Sequence, residues 1–268
     1  MPEISVIMGT FNGENRIGKS IESILNQSFQ DFELIICDDA SVDKTVEVIK
    51  KYMLLDNRII LIQNSINMKL SATLNKCLSV AKGNYIARID DDDIAYYNRL
   101  QIQLDFFKKH PEIDILGTSR NLYDNNGIWG HDIRKEKAIT ATGIALGESF
   151  IHPSVMMRKE CLNKVNGYTT DKMVERTEDL DLWFKLFVEG YKGYCIPNVL
   201  LDYYEDLGSY TRRKYKYRIN EYKVRRYWTK KMNLSLKCKL YAYRSLIVGL
   251  LPKKILLKSH INRYMIKK

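Results

Sequence analysis

The chain has few cysteines, and none of them form the close pairs typical of metal or redox sites. Its 268 residues include five cysteines, an odd number, and no CxxC pair. Thiols scattered through apolar or mixed segments are typical of buried cysteines in a reducing compartment, which argues against a disulfide framework or a zinc site. The cysteines are Cys37, Cys77, Cys161, Cys195 and Cys238.

Long apolar runs are absent as well. No stretch reaches the roughly 18 apolar residues that a membrane-spanning helix needs. The late apolar stretch Leu246 to Leu251 is followed at once by Pro252-Lys253-Lys254. Ile4 to Met8 is too short for the core of a signal peptide and has no basic residues before it. We therefore expect a cytoplasmic protein without a membrane span.

Acidic residues are scarce only in the last part of the chain. From Asp206 to the end there are 19 Lys and Arg against 2 acids, a balance of +17, within a net charge of +11 for the whole chain. Residues 1–205 carry 24 basic and 30 acidic residues, a balance of −6. This asymmetry indicates a polyanionic partner for the tail, either nucleic acid or anionic lipid.

The first half alternates between strand and helix patterns, which predicts an α/β fold with a parallel sheet and right-handed crossovers. The predicted strands are Ile4–Met8, Phe32–Cys37, Ile59–Ile62 and Tyr85–Ile89, and the helices between them carry the apolar positions of Ile17–Leu25, Val46–Met53 and Leu70–Ala81. Asp43 is a candidate N-cap for the second helix.

Carboxylates follow two of these strands. Asp38-Asp39 ends the second strand, and Asp90-Asp91-Asp92-Asp93 ends the fourth. The carboxyl ends of parallel strands meet at one edge of a sheet, where open α/β folds bind their ligands. Adjacent carboxylates repel each other unless a divalent cation lies among them, and oxygen ligands suit Mg²⁺ or Mn²⁺. The alternative interpretation of the four aspartates is a solvated acidic turn with a helix cap.

No GxGxxG loop accompanies this edge, and the one match to GxxxxGK[ST], Gly13 to Ser20, runs into the predicted helix Ile17–Leu25 instead of forming a glycine-rich loop. A site without such a loop must neutralise a diphosphate in another way, and a metal held by aspartates does so.

The second half is less regular. Glu178-Asp179 opens a predicted helix that runs to Val188, and acids at a helix start also have a simple capping explanation. The other predictions are a helix over Leu100–His110 and one over Lys159–Val165, a strand over Ile113–Tyr123 with a hairpin partner in Gly127–Arg134, a loop entering a strand over Ile151–Arg158, and strands near Tyr194–Ile196 and Leu200–Tyr204.

The tail from Tyr210 onward has a helical pattern. Leu236, Leu240, Tyr243 and Ile247 form one apolar stripe flanked by basic residues, and a second stripe comprises Leu257, Ile261, Tyr264 and Met265. The pattern is typical either of helices packed on the body or of an interfacial anchor on anionic lipid.

Five segments, taken in order, resemble the inverting family 2 glycosyltransferases of the GT-A fold over residues 4 to about 205. They are Ser5 to Asn12, Asp38 to Thr45, Ile89 to Asp93 with Asn98-Arg99-Leu100 and Gln103, His152 to Met156 with Gly167-Tyr168, and Glu178 to Trp183. The resemblance implies a GT-A domain over 1–205, with a nucleotide-binding half (1–110) and an acceptor half (111–205), followed by a basic helical extension (206–268).

The resemblance also implies roles for individual residues. Phe11 would stack on the base of a nucleotide-sugar, Asp39 would hydrogen-bond that base, and Asp90 would meet the ribose. Asp92 would bind Mn²⁺ or Mg²⁺, with Asp91 and Asp93 as alternative ligands. The remaining nucleotide-sugar contacts would come from Thr10, Asn12, Glu14, Lys69 and Asp91.

On the acceptor side, the resemblance implies that Asp179 is the general base, supported by Glu178. His152 would shape the sugar pocket, and Trp183 would belong to the core or contact the acceptor.

Two departures from the family pattern stand out. The middle position of the DxD segment is usually small and is Asp91 here, and Lys69 stands where the family often has glycine. The QxxRW motif of processive polysaccharide synthases is absent, which favours transfer of one sugar.

The implied function is transfer of one sugar from a nucleotide-sugar, expected to be a UDP-sugar, to a saccharide acceptor in bacterial surface-polysaccharide assembly. A lipid-linked acceptor and an anionic membrane surface on the inner face of the plasma membrane would explain both halves of the charge pattern. Two alternatives remain at this point. A sugar-nucleotide pyrophosphorylase would need a basic glycine-rich loop after the first strand, and a nucleic-acid-binding module would act through the Tyr- and Arg-rich stretch Tyr210–Arg218.

Overall fold

The computed structural model describes residues 1–206 and 214–265, and its first half alternates strand and helix as the sequence predicts. The elements are β1 (Ile4–Thr10), α1 (Ile17–Leu25), β2 (Phe32–Asp38), α2 (Thr45–Met53), β3 (Ile59–Gln63), α3 (Lys69–Val80) and β4 (Tyr85–Arg88). The helix predicted to start at Asp43 has Lys44 as its N-cap, while the Asp43 carboxylate accepts the N–H of Thr45.

The second half continues with shorter elements and ends in the C-terminal helices. They are β5 (Ile94–Ala95), α4 (Arg99–Lys109), β6 (Ile115–Asp124), β7 (Gly127–Asp132), β8 (Lys137–Ile139), α5 (Ala141–Ala145), a 3₁₀ helix (His152–Ser154), β9 (Met156–Arg158), α6 (Lys159–Lys164), a 3₁₀ helix (Lys172–Val174), α7 (Glu178–Val188), β10 (Gly193–Tyr204), α8 (Tyr215–Lys231), α9 (Leu236–Tyr241), α10 (Arg244–Gly249) and α11 (Lys253–Tyr264).

The strands of the described residues form one mixed sheet in the order β3-β2-β1-β4-β9-β6-β10-β5, with β7 paired to β6 and β8 paired to β10. The first-half strands β3, β2, β1 and β4 are all parallel. The short strand β9 runs antiparallel between β4 and β6 and joins the two halves into a single sheet. The carboxyl ends of β1, β2 and β4 therefore lie at one edge, as the sequence predicts.

Two apolar clusters cover the two faces of the sheet. On one face α1 and α4 pack through residues such as Ile21, Leu104 and Phe107. On the other face α3 and α7 pack together with Val224 and Trp228 of α8. Burial on both faces explains why β2 is buried along its whole length and why residues 34–37 in it are all apolar.

Some boundaries differ from the sequence predictions for physical reasons. The two strands expected near Tyr194–Ile196 and Leu200–Tyr204 form the single strand β10, whose pairing register with β6 shifts after Cys195 and again after Val199. Pro197 lies in this irregular part, where the missing N–H of proline is tolerated. The elements β5, β8 and α5 were not predicted because they are too short to show a period.

The tail is helical over the described residues from Tyr215 to Tyr264, apart from short breaks. The part of the helical prediction that falls on Tyr210–Arg213 lies outside the described residues. Among the helices that are described, none is long and apolar enough to cross a membrane.

Gly83 turns the chain into β4 and has no room for a side chain. A Cβ atom there would lie 2.5 Å from the backbone nitrogen of Ser5 and 2.7 Å from the carbonyl carbon of Ile4. We expect Gly83→Ala to lower the free energy of unfolding by about 2 kcal/mol or more, because a backbone atom cannot move aside cheaply. Urea unfolding followed by circular dichroism measures this.

Gly18→Ala is the matched control. Its Cβ would lie 3.1 Å from the hydroxyl of Tyr52, the flexible end of a side chain, and it stands in α1, where alanine is the better helix former. Equal stability losses in the two variants would contradict the close approach at Gly83.

Candidate active site

The ends of β1, β2 and β4 are hydrogen-bonded to one another. The hydroxyl of Thr10 donates to Oδ2 of Asp91 at 2.5 Å, and the backbone N–H of Asp39 donates to the carbonyl of Thr10 at 2.8 Å. Thr10 and Asp39 are buried. The strand order thus brings together residues that are far apart in sequence, as the parallel sheet predicts.

The carboxylate of Asp39 holds the start of α3. It accepts hydrogen bonds from Nδ2 of Asn64 at 2.7 Å and from the backbone N–H groups of Met68 and Lys69 at 2.7 and 2.8 Å. A carboxylate offers about four acceptor positions, so Asp39 keeps capacity for a further donor such as a nucleotide base. Its role toward a base stays a prediction.

The backbone of Lys69 adopts a conformation that is unusual for a residue other than glycine. Its φ is +72°, in the left-handed region where glycine carries no steric cost. This explains why glycine is favoured at the position, and it shows that the backbone N–H of Lys69 serves Asp39 whatever the side chain does. The side chain is exposed, and its contact with a diphosphate stays a prediction.

The loop after β1 is fastened to the loop after β2. The backbone N–H of Asn12 donates to Oγ of Ser41 at 2.8 Å, and Oδ1 of Asn12 accepts the N–H of Val42 at 3.0 Å. Glu14 is held in a similar way, because its carboxylate accepts the N–H of Lys44. Phe11 lies at the tip, 47% exposed, with its ring open to a planar ligand.

Asp90 forms an ion pair with a buried arginine. The two terminal guanidinium nitrogens of Arg88 donate to the Asp90 carboxylate, Nη1 to Oδ2 at 2.8 Å and Nη2 to Oδ1. The side chain of Arg88 is 3% exposed and that of Asp90 is 25% exposed. Burial acts to lower the pKa of Arg88, but Asp90 raises it and the net change is upward. Arg88 is therefore a fixed positive charge beneath the site.

The other three aspartates differ in what they contact. Burial, above all, raises the pKa of Asp91 to about 6 and that of Asp92 to about 7, with Asp90 adding to both. Asp93 is fully buried, and its Oδ1 accepts the N–H of Tyr204 on β10. Asp93 thus faces the interior, Asp91 is bound to Thr10, and Asp92 has no hydrogen-bond donor on its carboxylate within the described part of the chain.

His152 and Trp183 are buried side by side. A hydrogen bond of 2.9 Å joins Nε2 of His152 to the hydroxyl of Tyr168, and the His152 and Trp183 rings meet edge to face at 5.7 Å. Burial, helped by Arg88, lowers the pKa of His152 well below its usual range, so the imidazole is neutral. Trp183 is 0% exposed, so it belongs to the core and packs against His152.

Glu178 and Asp179 open α7 and lie close to the Arg88–Asp90 pair. Burial and then Asp179 raise the pKa of Glu178 to about 7, and Arg88 acts in the opposite direction. Burial raises the pKa of the Tyr168 phenol, Arg88 lowers it, and Asp179, Glu178 and Asp90 raise it further. Oδ1 of Asp179 accepts the N–H of Leu180 at 2.8 Å. The acids at the start of α7 therefore lie within electrostatic range of the Arg88–Asp90 pair.

The site offers too few fixed ligands for a metal cage. Within residues 1–206 and 214–265, no group of three or more His, Cys, Asp or Glu side chains is arranged to hold a metal ion. Mg²⁺ and Mn²⁺ need only one or two carboxylates when substrate phosphates complete their coordination. The Asp92 carboxylate fits that requirement, because burial and its acidic neighbours disfavour its charge and a cation would relieve this.

Three residues that build the site had no role assigned from the sequence, although Arg99 and Tyr168 belong to segments that carry the family resemblance. Arg88 pairs with Asp90, the guanidinium of Arg99 donates to the carbonyl of Arg88 at 2.7 Å, and the hydroxyl of Tyr168 is hydrogen-bonded to His152. An arginine two residues before an acidic cluster is a signal that could have indicated the ion pair. The contacts of Arg99 and Tyr168 join distant segments, so the local sequence does not show which partners they have.

Comparison with known proteins agrees with this geometry. The model of glycosyl transferase family 2 matches residues 5–175. The protein EpsE of Bacillus subtilis (strain 168), named as a glycosyltransferase, is 38% identical over 269 residues, covering 100% of this chain and 96% of EpsE. WfaP of Escherichia coli, named as a UDP-Glc:alpha-D-GlcNAc-diphosphoundecaprenol beta-1,3-glucosyltransferase, is 28% identical over 84% of this chain and 86% of its own length.

Solved structures share the GT-A fold with this chain. Residues 1–349 of S. aureus TarS in complex with UDP-GlcNAc superpose with a TM-score of 0.70 at 20% identity, covering 93% of this chain and 72% of the other. The mannosyltransferase PcManGT of Pyrobaculum calidifontis, in complex with GDP-Man and Mn²⁺, superposes with a TM-score of 0.64 at 16% identity, covering 98% and 80% of the two chains.

The raised pKa of Glu178 predicts a pH-dependent stability. The carboxyl titrates near its ordinary value of 4.5 in the unfolded chain and at about 7 in the folded protein. Between these values the unfolded chain has lost the proton that the folded protein keeps, so this contribution to stability is present below pH 4.5 and is lost as the pH rises to about 7. Compared with Glu178→Gln, the wild type should lose on the order of 1–3 kcal/mol over that window.

Urea unfolding at several pH values measures the difference between the two proteins. Glu189→Gln, at the exposed end of the same helix, is the control and should follow the wild type at every pH. A constant difference between wild type and Glu178→Gln from pH 4 to 8 would show that Glu178 has an ordinary pKa.

Proposed function

Because the chain belongs to glycosyltransferase family 2, we propose that it transfers one sugar from a nucleotide-sugar to a hydroxyl of a saccharide acceptor, with inversion at the anomeric carbon. One observation carries the proposal: Asp90 of the first half is paired with the buried Arg88, and the second half's Glu178 lies within electrostatic range of Arg88, while Asp90, Glu178 and Asp179 all act on the buried Tyr168. A donor bound at the strand ends would thus have its anomeric carbon close to a potential base.

The donor is a UDP-sugar in this proposal. The exposed ring of Phe11 can stack on the uracil, and Asp39 has an acceptor position left for its N–H. Thr10, Asn12 and Glu14 shape the same edge, and Asp90, held by Arg88, faces the ribose. The printed name of WfaP contains UDP-Glc, and TarS was solved with UDP-GlcNAc, which supports the choice of nucleotide.

Asp92 is the metal ligand in this proposal. Asp93 is turned into the core, Asp91 is bound to Thr10, and Asp90 is paired with Arg88, which leaves Asp92. When bound, Mn²⁺ or Mg²⁺ supplies charge neutralisation for the departing diphosphate. Its attraction would also favour the ionised form of Asp92 against burial and neighbouring acids.

Asp179 is the general base in this proposal. It removes the proton of the acceptor hydroxyl while that oxygen bonds to the anomeric carbon and the bond to the diphosphate oxygen breaks. Glu178 keeps its proton up to about pH 7, which limits repulsion next to the Asp179 carboxylate. Two adjacent carboxyls with different tasks are a common solution in acid–base sites.

The acceptor is a lipid-linked saccharide in bacterial surface-polysaccharide assembly. The acceptor in the name of WfaP is a sugar on diphosphoundecaprenol. His152 is neutral and buried, so it contributes shape and a hydrogen bond to the pocket, while Trp183 supports it from the core. The absence of a QxxRW motif favours addition of a single sugar.

The C-terminal extension brings the enzyme to an anionic membrane surface in this proposal. We define the outer stripe as the large apolar side chains on one side of residues 236–251. They are exposed by 43 to 75% and comprise Leu236, Leu240, Tyr243, Ile247, Leu250 and Leu251. The side that packs inward carries small residues, Cys238, Ala242 and Ser245. Apolar residues that face outward beside many lysines and arginines are typical of interfacial binding.

Nucleotide release tests the reaction. With Mn²⁺, one donor from a panel of UDP-, GDP- and dTDP-sugars should be consumed, and EDTA should abolish this. We expect Asp179→Asn to lower kcat by roughly 10²–10⁴-fold because the base is lost, with unchanged affinity for UDP. Asp92→Asn should weaken metal-dependent UDP binding as well as kcat.

Asp105→Asn, on the α4 surface away from the strand ends, is the control and should behave as the wild type. If the wild type binds UDP through Asp92 but consumes no donor, an obligatory acceptor is indicated. If it binds no nucleotide, the glycosyltransferase proposal is wrong.

Vesicle binding tests the outer stripe. Full-length protein should bind vesicles containing phosphatidylglycerol and bind neutral phosphatidylcholine vesicles weakly, and added salt should reduce the binding. The double variant Leu240→Glu with Ile247→Glu should weaken binding by roughly tenfold or more, since each buried leucine or isoleucine contributes about 1.5–3 kcal/mol.

Leu54→Glu with Leu55→Glu is the matched control. These residues are 87% and 81% exposed but follow α2, on another part of the molecule, and should leave vesicle binding unchanged. Binding to an oligonucleotide without binding to either vesicle would instead favour a nucleic-acid-binding extension.

A further inference from the structure

The extension contacts the helix that carries the proposed base through a buried hydrogen bond. The indole Nε1–H of Trp228 on α8 donates to Oδ1 of Asp181 on α7 at 2.7 Å. The other oxygen of Asp181 accepts the hydroxyl of Thr169 at 2.6 Å. Asp181 is 6% exposed and Trp228 is 5% exposed. A buried carboxylate with two neutral donors holds its partners firmly, because losing either leaves it poorly satisfied.

Ring packing extends this contact. The rings of Trp228 and Phe184 stack with centroids 6.2 Å apart and an interplanar angle of 14°. The guanidinium of Arg225, one turn earlier on α8, donates to the carbonyls of Ile144 and Ala145 at 2.6 and 3.3 Å, at the end of α5. The face of α8 with Arg225 and Trp228 is thus buried against α5 and α7, whereas the outer stripe is exposed.

The start of α8 contacts the segment before the acids. Nζ of Lys216 lies 3.1 Å from the Glu175 carboxylate, and the hydroxyl of Tyr217 donates to the same group at 3.4 Å. The amide of Asn220 donates to the carbonyls of Lys172 and Glu175 at 3.3 and 3.1 Å. The residues contacted here, Lys172 and Glu175, come before Glu178-Asp179 in the sequence. Asp181, which Trp228 contacts, comes after these two acids.

Glu178 and Asp179 therefore stand between two attachments to α8. Between the first attachment and the acids, Arg176 has a φ of +64°, a conformation that a non-glycine residue keeps only when its surroundings hold it. The contacts with α8 before and after Glu178-Asp179 supply that support.

We propose that Trp228, through Asp181, is a positioning residue for the proposed base, and that the basic extension is part of the active-site scaffold. This inference rests on the proposed function for its kinetic consequence. Without the Trp228–Asp181 hydrogen bond, the first turn of α7 would shift relative to the donor site. A displacement of about 1 Å can cost roughly 10²-fold in rate.

Trp228→Phe removes the N–H and keeps most of the packing. We expect kcat per nucleotide-binding site to fall roughly 10- to 100-fold and the donor KM to stay unchanged. Calorimetric titration with UDP gives the concentration of nucleotide-binding sites. A purely structural loss would lower the number of UDP sites and leave kcat per site as in the wild type. Amide exchange over residues 172–181 should become faster.

Three further variants sharpen the test. Asp181→Asn keeps an acceptor for Trp228 and a donor for Thr169, so it should retain most of kcat, whereas Asp181→Leu should lose as much as Trp228→Phe. Adding Trp228→Phe to Asp181→Leu should then cost nothing more. Trp129→Phe is the matched control, because the indole N–H of Trp129 finds no acceptor among the described residues.

The outcomes separate this inference from the proposed function. A wild type that transfers no sugar contradicts the proposed function, and the amide exchange then still tests whether Trp228 orders residues 172–181. Transfer with an unchanged kcat in Trp228→Phe, or unchanged amide exchange over residues 172–181, contradicts the positioning role.

Discussion

The ion pair between Arg88 and Asp90 is the interaction on which the rest of the site depends. Arg88 is buried at the end of β4, and its positive charge opposes the burial and mutual repulsion that raise the pKa of Asp92, Asp93 and Glu178. The guanidinium of Arg99 donates a hydrogen bond to the backbone carbonyl of Arg88 and so holds Arg88 in position. A positive charge at this point therefore reduces the cost of holding several acids close together in a buried place.

The acids at the ends of β1, β2 and β4 are held in a different way. Their carboxylates are engaged mainly with hydrogen-bond donors of neighbouring loops: Asp39 with the start of α3, Glu14 with Lys44, and Asp91 with Thr10. These bonds make the strand ends rigid before any ligand arrives, which reduces the ordering cost of binding. Phe11 is the exception, because its ring is exposed and available.

The C-terminal helices have two unlike faces. Their inward face joins the core of the sheet through Val224 and Trp228, so residues 206–268 are not a detached appendage in the described part of the chain. Their outward face presents large apolar side chains next to basic ones. The two proposed roles of this segment, support of α7 and binding to an anionic membrane, would therefore use opposite sides.

The sequence by itself determined the order of strands and helices in the first half and the sheet edge at which the acids gather, because both follow from periodicity and from the geometry of parallel strands. Motif order indicated the family. Only the tertiary structure decided which aspartate of Asp90 to Asp93 faces which neighbour, since that depends on contacts with Arg88, Thr10 and Tyr204. It alone also decided that the extension packs with its small residues inward and places Trp228 on Asp181. Such pairings join residues far apart in sequence, and no local pattern encodes them.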